Sequence, residues 1–350
     1  MNDNIDTFST DIETRWIAPI LFQTMHTFGR TEKQLSIPVP LATLETTLFY
    51  SVGRGSRVIH EAGGLISTLI SDQMTRSVVF EASDASQASE VATFVSQSIA
   101  LLQKEVVEKH SRFARLKKAE AHLVANLIYI RFAFETGDAS GHNMVTDAAD
   151  GLMTFLLTRF PQLTYISVSG NMCVDKKVSV INAISGRGKH IISEIVIPRA
   201  IVEKTLKTTP EKIVDLNLKK NLLGSILAGS IHSANAHYAN MLLAFYLATG
   251  QDAANIVEGS QGITFASIRG SDLYFSVTLP NIIVGTIGHG KNSEAMIARY
   301  TKMGCVGEGS AQKLAHITGG IVLAGELSLL AALTNPHELM KAHLAIERKR

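Results

Sequence analysis

Alternating runs of apolar and polar positions along the chain predict a mixture of strands and helices. An apolar run at 77–80 is typical of a strand, and from Asp84 onward apolar residues recur at helical spacing. At 127–135 the period becomes two, which predicts a half-buried strand. With the helical pattern at 144–160, these elements predict a compact α+β unit at 78–167.

Two helix starts are also predicted from local signals. Thr10, with a glutamate three positions later, matches a capping box and predicts a short helix that carries Trp16. A threonine followed by proline predicts a second start, and the helical pattern then covers 209–250. Gly224 and Gly229 lie inside this pattern, which suggests close packing of the helix against a neighbour.

Later elements alternate in the same way. A short strand at 165–168 leads into a polar loop at 169–177, a place where functional residues are often found. Strand-like runs follow at 262–268, 273–277 and 281–284, and helical patterns continue from there to a basic end. Within the strand at 127–135, the alternation places Arg131 on the polar face.

Composition adds an expectation about assembly. The chain has 350 residues, 46% of them hydrophobic and only 18% charged, which suggests about two domains and a large subunit interface. Lysine and arginine total 33 and aspartate and glutamate 31, and no long basic run occurs. The electrostatic footprint of a nucleic-acid binder is therefore missing.

The cysteines and the apolar stretches bear on location. Cys173 and Cys305 are far apart and form no CxxC motif, which fits a reducing cytoplasm. The first ten residues are polar and acidic, unlike a signal peptide. The most apolar stretch, 319–333, is interrupted by polar residues and is shorter than a spanning helix. We expect a cytoplasmic protein that does not cross a membrane.

A glycine-rich loop at 285–292 nearly matches a phosphate-binding P-loop. Asn292 replaces the hydroxyl residue that would hold Mg²⁺, and too few residues follow to build the parallel sheet of a P-loop nucleotidase. A loop whose backbone approaches a phosphate or dinucleotide is the remaining interpretation. The histidines show no paired ligand spacing, so no metal site is expected.

Two charged positions have a simple structural explanation and a functional one. The run 175–177 fits a solvated loop, the usual fate of a short charge run. Glu45, a carboxylate among apolar neighbours, fits a helix start where it meets the helix dipole. From the residues alone, the conclusion is a globular oligomer with a glycine-rich anion loop.

Several motifs in a fixed order resemble one enzyme family. They are Pro38-Val39-Pro40-Leu41-Ala42-Thr43 with Glu45, Gly137-Asp138-Ala139 with Asn143-Met144, Ser169-Gly170-Asn171 with Asp175-Lys176-Lys177, Asn235-Ala236-His237 with Asn240, Gly250-Gln251-Asp252, Gly285-Thr286-Ile287-Gly288 and Ala324-Gly325-Glu326-Leu327-Ser328. Together they resemble 3-hydroxy-3-methylglutaryl-CoA (HMG-CoA) reductase of the eukaryote-like class, from about Pro38 to Arg348.

The resemblance implies a four-electron reduction of HMG-CoA to mevalonate with two NADPH and release of CoA. Lys176 matches the family's catalytic lysine, whose ammonium stabilises the negative charge that hydride delivery builds on the carbonyl oxygen. Glu45 matches the carboxyl that protonates the aldehyde oxygen, and Asp252 matches the aspartate that tunes this pair. His343 matches the histidine that protonates the departing CoA thiolate.

Binding residues are implied by the same resemblance. On the substrate and CoA side they are Arg76, Ser169, Lys177, Lys220, Asn240, Ser51, Arg54 and Arg57. For the cofactor they are Ser111, Arg112, Asp138, Asn143, Gly285, Thr286 and Gly288. Because Ser111 and Arg112 match positions at the 2′-phosphate, the resemblance favours NADPH over NADH, and it implies no metal.

The implied architecture is an α+β fold in two domains. A large helical and β substrate domain comprises 1–77 and 168–350, and a small ferredoxin-like α+β cofactor-binding domain at 78–167 is inserted into it. The active site is expected to be shared between the subunits of a homodimer or homotetramer.

Four residues depart from the family pattern. Ser140 and His142 stand where methionines are usual, and His289 and Lys291 replace the glycine and threonine of the second cofactor loop. These departures motivate an alternative, a catalytically weakened relative that serves as a CoA- or dinucleotide-binding module. Joint retention of the four implied catalytic residues favours the enzyme.

Overall fold

The computed structural model describes residues 11–347, and its strands join into one sheet system. The strands are β1 (Thr14–Thr27), β2 (Arg30–Ala42), β3 (Leu65–Glu81), β4 (Arg115–Val124), β5 (Leu127–Glu135), β6 (Thr164–Ser167), β7 (Gly188–Ile197), β8 (Ser233–Ala234), β9 (Gly262–Arg269) and β10 (Asp272–Ile282).

Helices cover the sheet and connect its strands. The α-helices are α1 (Thr47–Glu61), α2 (Ala85–Gln97), α3 (Ile99–Leu102), α4 (Glu108–His110), α5 (His142–Arg159), α6 (Val180–Ser185), α7 (Arg199–Ile201), α8 (Pro210–Leu216), α9 (Ser225–Leu227), α10 (Tyr238–Ala248), α11 (Ile256–Gly259), α12 (Glu294–Met303), α13 (Ser310–Leu333) and α14 (Glu338–Glu347). Wider π-helical turns occupy Gln103–Val107, Val202–Leu206 and Asn217–Gly224, and a 3₁₀ turn occupies Ala253–Asn255.

Strand β3 joins the two parts of the sheet. Its first half lies between β1 and β7 in the order β2-β1-β3-β7-β10-β9-β8, and its second half, from Met74 to Glu81, pairs with β5 and β6. The chain therefore forms a mixed α+β fold. One long strand carries residues of both parts, so Arg76 lies close to where they meet.

The larger hydrophobic core lies between the sheet and helices α1, α10 and α13. Small residues let α13 lie close to its neighbours. A Cβ on Gly320 would lie 2.8 Å from the Phe22 ring, and a Cβ on Gly319 would lie 2.7 Å from a methyl carbon of Ile191. The glycines of this helix therefore match the shape of the strands beneath it.

A second core packs α2 and α5 against the β3, β4 and β5 layer. Ile128, Ile130 and the phenylalanines of β5 lie in it fully buried, as the alternation predicts. Asp84 begins α2 by accepting the Gln87 backbone N–H at 2.8 Å, so the predicted helix start is confirmed.

Two predicted helices differ in the structure. The segment that carries Trp16 is strand β1, paired along its length with β2, and Thr10 lies outside the described residues. The helix predicted at 209–250 begins as expected with Thr209 as its N-cap, but it ends at α9. Gly229, at φ +71°, stops it, and a new helix, α10, begins at Tyr238. A Cβ at Gly224 would meet only an ordinary contact, so close packing does not explain that glycine.

Smaller differences concern the edges of strands. Residues 281–284 do not form a separate strand, because β10 runs to Ile282. Arg131 is not on an exposed polar face, since it is only 1% exposed. Its guanidinium donates to the Met172 carbonyl at 3.0 Å and to the Gly186 carbonyl at 2.6 Å. These two bonds satisfy a buried charge and attach β5 both to the loop at 169–177 and to the residue that ends α6.

Helix α13 is longer than its apolar sequence stretch indicates. It comprises 24 residues, which is enough by length and composition to cross a membrane. In the protein, 94% of its most apolar window is buried. A mostly buried core helix of a soluble protein meets the same criteria, so α13 is weak evidence for a membrane span.

Candidate active site

Two pockets collect most of the predicted site residues. The first, here the Lys176 pocket, has a volume of about 600 Å³ and is lined by Arg76, Asn143, Lys176, Asp252 and Gly288 among others. The second, the Glu45 pocket, has a volume of about 380 Å³ and includes Glu45, Ser51, Arg54, Asn240 and His343 in its lining. The four predicted catalytic residues are thus divided in pairs between the two pockets.

An ion pair between Lys176 and Asp252 lies in the Lys176 pocket. The lysine Nζ is 2.7 Å from the aspartate Oδ2, with both side chains about two-fifths exposed. The hydrogen bond that Lys176 donates to Asp252 raises the pKa of Lys176. Burial alone would raise the pKa of Asp252, but the bonds from Lys176 and from the Ala254 backbone N–H lower it overall. Both groups therefore remain charged at neutral pH.

The loop that carries Lys176 is held from below by buried groups. Lys176 has a left-handed backbone, φ +54°, and its N–H donates to the Glu258 carboxylate at 3.1 Å. Arg187 forms an ion pair with Asp175 and donates to the Thr75 carbonyl at 2.6 Å. These contacts attach the loop to β3 and to α11.

Asp138 joins two glycine-containing loops to the start of α13. Its carboxylate accepts the N–H groups of Gly309 and Ala311 at 3.1 and 2.8 Å, and its carbonyl accepts those of Thr286 and Ile287. The Asp138 carboxylate, which was predicted to bind cofactor, therefore already accepts hydrogen bonds from backbone N–H groups.

Gly285 and Thr286 lie at the same junction. A Cβ on Gly285 would meet the backbone of Ala139 at 2.9 Å, and its N–H donates to Gln251 at 2.9 Å. The Thr286 hydroxyl pairs with that of Ser310 at 2.6 Å. Asn143, in the first turn of α5, and Gly288, in the loop at 285–292, do line the Lys176 pocket.

The Glu45 pocket lies between α1, α10 and the C-terminal helices. Asn240 donates to the Glu45 carboxylate at 3.2 Å. Arg54 donates to the Ser328 hydroxyl and carbonyl at 3.0 and 2.6 Å, and Ser51 donates to the same hydroxyl at 3.1 Å. Burial lowers the pKa of Arg54. A cation and several hydroxyl and amide groups thus surround an exposed carboxylate.

Nine predicted residues lie outside the linings of both pockets, as far as residues 11–347 show. Three of them, Asp138, Gly285 and Thr286, lie at the junction described above. Ser111 accepts the N–H groups of Phe113 and Ala114, and Lys220 donates to Asn221 at 3.1 Å. Lys177 donates to the Asp175 carbonyl at 3.2 Å. The remaining three are Arg57, Arg112 and Ser169, of which the two arginines are exposed and Ser169 is half-buried.

Four residues of the two pockets or their supports were not assigned a role from the sequence. His142, Arg187 and Glu258 surround Lys176, and His237 lines the Glu45 pocket. His142 was noted only as a departure from the family pattern. Its Nε2 is buried without a hydrogen-bond partner and lies 3.7 Å from Asp175 Oδ1. Burial, followed by the nearby Arg187 charge, lowers the pKa of His142. In the sequence His142 stands 33 positions before Asp175, so no local pattern predicts that the two are neighbours.

Among the described residues, no three or more His, Cys, Asp or Glu side chains are grouped so that they could hold a metal ion. Lys176 instead pairs with Asp252, and Glu45 accepts a hydrogen bond from the Asn240 side chain.

Comparison with known proteins agrees with these motifs. The family model for hydroxymethylglutaryl-coenzyme A reductase matches residues 28–348. The chain is 47% identical to 3-hydroxy-3-methylglutaryl-coenzyme A reductase of Pyrococcus horikoshii over 316 residues, which cover 89% of this chain and 76% of that protein. It is 43% identical to reductase 1 of Oryza sativa subsp. japonica over 319 residues, covering 89% and 60%.

A solved structure shows the same fold at low sequence identity. The class II 3-hydroxy-3-methylglutaryl-CoA reductase of Streptococcus pneumoniae, bound to NADPH in open conformations, superposes with a TM-score of 0.74 at 18% identity. The match covers 96% of this chain and 88% of that one. Both the matched family model and the level of identity to curated relatives lead to one conclusion: the chain belongs to the hydroxymethylglutaryl-coenzyme A reductase family.

Proposed function

We propose that this protein reduces HMG-CoA to mevalonate with NADPH and releases CoA. The single observation that carries the proposal is the Lys176–Asp252 ion pair, 2.7 Å long, in a pocket bordered by glycine-containing loops. Family membership supports the same reaction. The protein is thus an oxidoreductase.

The Lys176 pocket fits a dinucleotide. Gly141 begins α5 at φ +90°, and the first turn of this 18-residue helix, 142–144, lines the pocket with no side-chain cap. Its N–H groups suit a diphosphate. Gly288, at φ +125°, also lines the pocket, and a Cβ there would meet nothing within 4 Å, so the backbone has open space in front of it. NADPH bound here supplies hydride, and Asn143 and Gly288 would hold it.

Lys176 is proposed to stabilise the oxygen that gains negative charge as the thioester, and later the aldehyde, is reduced. An ammonium fixed beforehand by Asp252 needs little reorganisation when that charge develops, and this is the basis of electrostatic catalysis. Arg76, in the same pocket, donates through Nε to the Val168 carbonyl. The rest of its guanidinium suits the substrate's free carboxylate.

The Glu45 pocket is proposed to supply protons and to hold CoA. Glu45 would protonate the aldehyde oxygen and His343 the thiolate, while Arg54 and Ser51 face the CoA side. The structure places Asn240, the partner of Glu45, at the start of α10, and Asp252, the partner of Lys176, beyond its end. The eight residues of α10 that follow Asn240 alone place the Glu45 and Lys176 contacts roughly 12 Å apart along the helix axis.

This separation supports an active site shared between two copies of the chain. A reacting carbonyl must lie about 3 Å from both its oxyanion donor and its proton donor. One chain holds these groups at opposite ends of α10, so we propose that a second copy brings its Glu45 pocket to the Lys176 pocket. The assembly is then a homodimer or homotetramer, and the exposed Leu223, Ile226 and Leu227 offer apolar surface for it.

The two hydrophobic cores correspond to two proposed domains. We propose 78–167 as the small cofactor-binding domain, and 1–77 with 168–350 as the substrate domain. Arg112, exposed on the small domain, is proposed to contact the 2′-phosphate of NADPH together with Ser111, with NADH as the poorer cofactor. We also propose that the protein is cytoplasmic.

Substitution of Lys176 tests the proposed reaction. Lys176→Ala should lower kcat for both thioester and aldehyde reduction by about 10² to 10³, the usual loss for one oxyanion donor. The matched control is Lys219→Ala, an exposed lysine paired with Asp215 outside both pockets, which should keep normal turnover. Reduced-nicotinamide absorbance reports both reactions. Wild-type protein that binds NADPH without turnover would favour the weakened binding module instead.

A further inference from the structure

A fully buried glutamate holds the backbone of the loop that carries Lys176. Glu258 is 0% exposed. Its Oε1 accepts the Lys176 N–H at 3.1 Å and the Asn255 side-chain amide at 2.9 Å. Burial raises the pKa of Glu258, while the N–H groups that it accepts act in the opposite direction. Glutamate is almost never fully buried unless it is paired, so the contacts that Glu258 makes explain its place beside the site.

The backbone that Glu258 holds is strained. Lys176 adopts φ +54°, in the left-handed region that a side-chain-bearing residue occupies only when its surroundings fix it. Arg187, 2% exposed, restrains the residue before it through the ion pair with Asp175, and its Nε lies 3.8 Å from Glu258. Two buried groups of opposite charge therefore support consecutive residues of the loop.

One short segment contacts Lys176 at two points. Asp252 begins the 3₁₀ turn that leads into α11 and pairs with the lysine Nζ, while Glu258, within α11, pairs with the lysine N–H. Gln261 then exchanges hydrogen bonds with the Ser179 backbone, accepting its N–H at 3.2 Å and donating to its carbonyl at 3.1 Å. The segment 252–261 thereby fixes the loop at both ends of 176–179.

We propose that Glu258 is a positioning residue for Lys176, holding its backbone in the one conformation from which the ammonium reaches Asp252 and the pocket. The proposal rests on the role proposed above for Lys176. The negative charge of Glu258 also favours the charged form of the lysine, adding to the larger effect of Asp252 on its pKa. Because Glu258 is shielded from the pocket by the loop, it acts through Lys176.

A double-mutant cycle tests this proposal. Glu258→Ala, Lys176→Ala and the double variant are compared with the wild type for kcat, KM and the Kd of NADPH, with thermal unfolding as a check on folding. Glu258→Ala should lower kcat by about 10²-fold, the loss that a misplacement of 1 Å can cause, with little change in the NADPH Kd. In the Lys176→Ala background the same substitution should have almost no further effect.

Glu258→Gln supplies the conservative variant. Its amide oxygen still accepts the Lys176 N–H without the charge, so kcat should fall by only about three- to tenfold. Should the alanine variant fail to fold, the glutamine variant takes its place in the cycle. Glu194→Gln, a half-buried carboxylate bonded to Tyr274 away from both pockets, is the control.

The outcomes separate the two proposals. A normal kcat in both Glu258 variants, or equal losses in the wild-type and Lys176→Ala backgrounds, would overturn the positioning role while leaving the function intact. Normal turnover of Lys176→Ala itself would overturn the proposed function. We expect Glu258→Ala to lower kcat only where Lys176 is present, and Glu258→Gln to retain part of that kcat.

Discussion

Two glycines of the same helix should respond to alanine in opposite directions. Gly53 and Gly55 both lie inside α1, where alanine is favoured over glycine by about 1 kcal/mol. A Cβ at position 53 meets nothing within 4 Å. A Cβ at position 55 would lie 2.7 Å from the Ala324 Cα and nearer still to its carbonyl oxygen.

The expected magnitudes follow from these contacts. Ordinary contact begins near 3.4 Å, so Gly55→Ala forces α1 and α13 apart by at least 3.4 − 2.7 = 0.7 Å. The obstructing atoms belong to the backbone and cannot rotate away, which places the overpacking penalty near the top of the usual range of about 1 to 3 kcal/mol. Because the alanine also gains about 1 kcal/mol of helix propensity, Gly55→Ala should lower the free energy of unfolding by about 2 kcal/mol. Gly53→Ala, which has only the gain, should raise it by about 1 kcal/mol.

Urea unfolding followed by circular dichroism measures both changes. The Gly55 variant should also bind HMG-CoA more weakly, because α1 carries Arg54 and Ser51, which bond to Ser328 of α13. Binding of NADPH, in the other pocket, should be unaffected. A Gly55→Ala protein as stable as the wild type would refute the packing argument, and so would a destabilised Gly53→Ala protein.

Three further predictions concern the cofactor, the leaving thiolate and acid stability. Arg112→Ala should narrow the NADPH preference over NADH by about ten- to a hundredfold, the value of a charge-assisted hydrogen bond. Arg159→Ala, an exposed arginine at the end of α5 that stacks on Phe94, is the control, and an unchanged ratio in Arg112→Ala would remove the 2′-phosphate role. His343→Gln should slow thioester reduction by about 10² to 10⁴ yet leave reduction of free mevaldehyde nearly normal, and equal loss on both substrates would instead indicate a structural role. Burial lowers the pKa of His316 from 6.5 to about 4. As the pH falls, the unfolded chain therefore binds the extra proton first, and the free energy of unfolding should fall between about pH 6.5 and 4 by up to roughly 3 kcal/mol. Urea midpoints across this range should fall less in His316→Gln, and parallel curves for the two proteins would contradict the assignment.

Local signals in the sequence predict elements well where they agree with long-range pairing. Asp84 and Thr209 cap helices as expected because their side chains bond the next turn whatever lies around them. The signal at Thr10 failed because the following residues pair with β2, and a fourteen-residue strand gains more from that ladder than a short helix gains from a cap.

The site depends on contacts that no local pattern contains. Lys176 and Asp252 meet across 76 positions, and only the family motifs indicated that they belong together. Glu258 has no such motif behind it. In sequence it is a charged residue beside a glycine, typical of an exposed turn, and its burial follows from the way α11 packs below the loop at 169–177.

The two pockets therefore differ in how their charges are held, and this bears on the order of the reaction. The Lys176 pocket is supported by fully buried groups, among them Arg187 and Glu258, which suits an oxyanion donor that must be in place for both hydride steps. The Glu45 pocket is closed on one side by α14, near the end of the chain, where His343 lies. In the proposed reaction a proton donor for the thiolate is needed once, between the two hydride transfers, and α14 carries His343 on a helix that packs on α1 and α13.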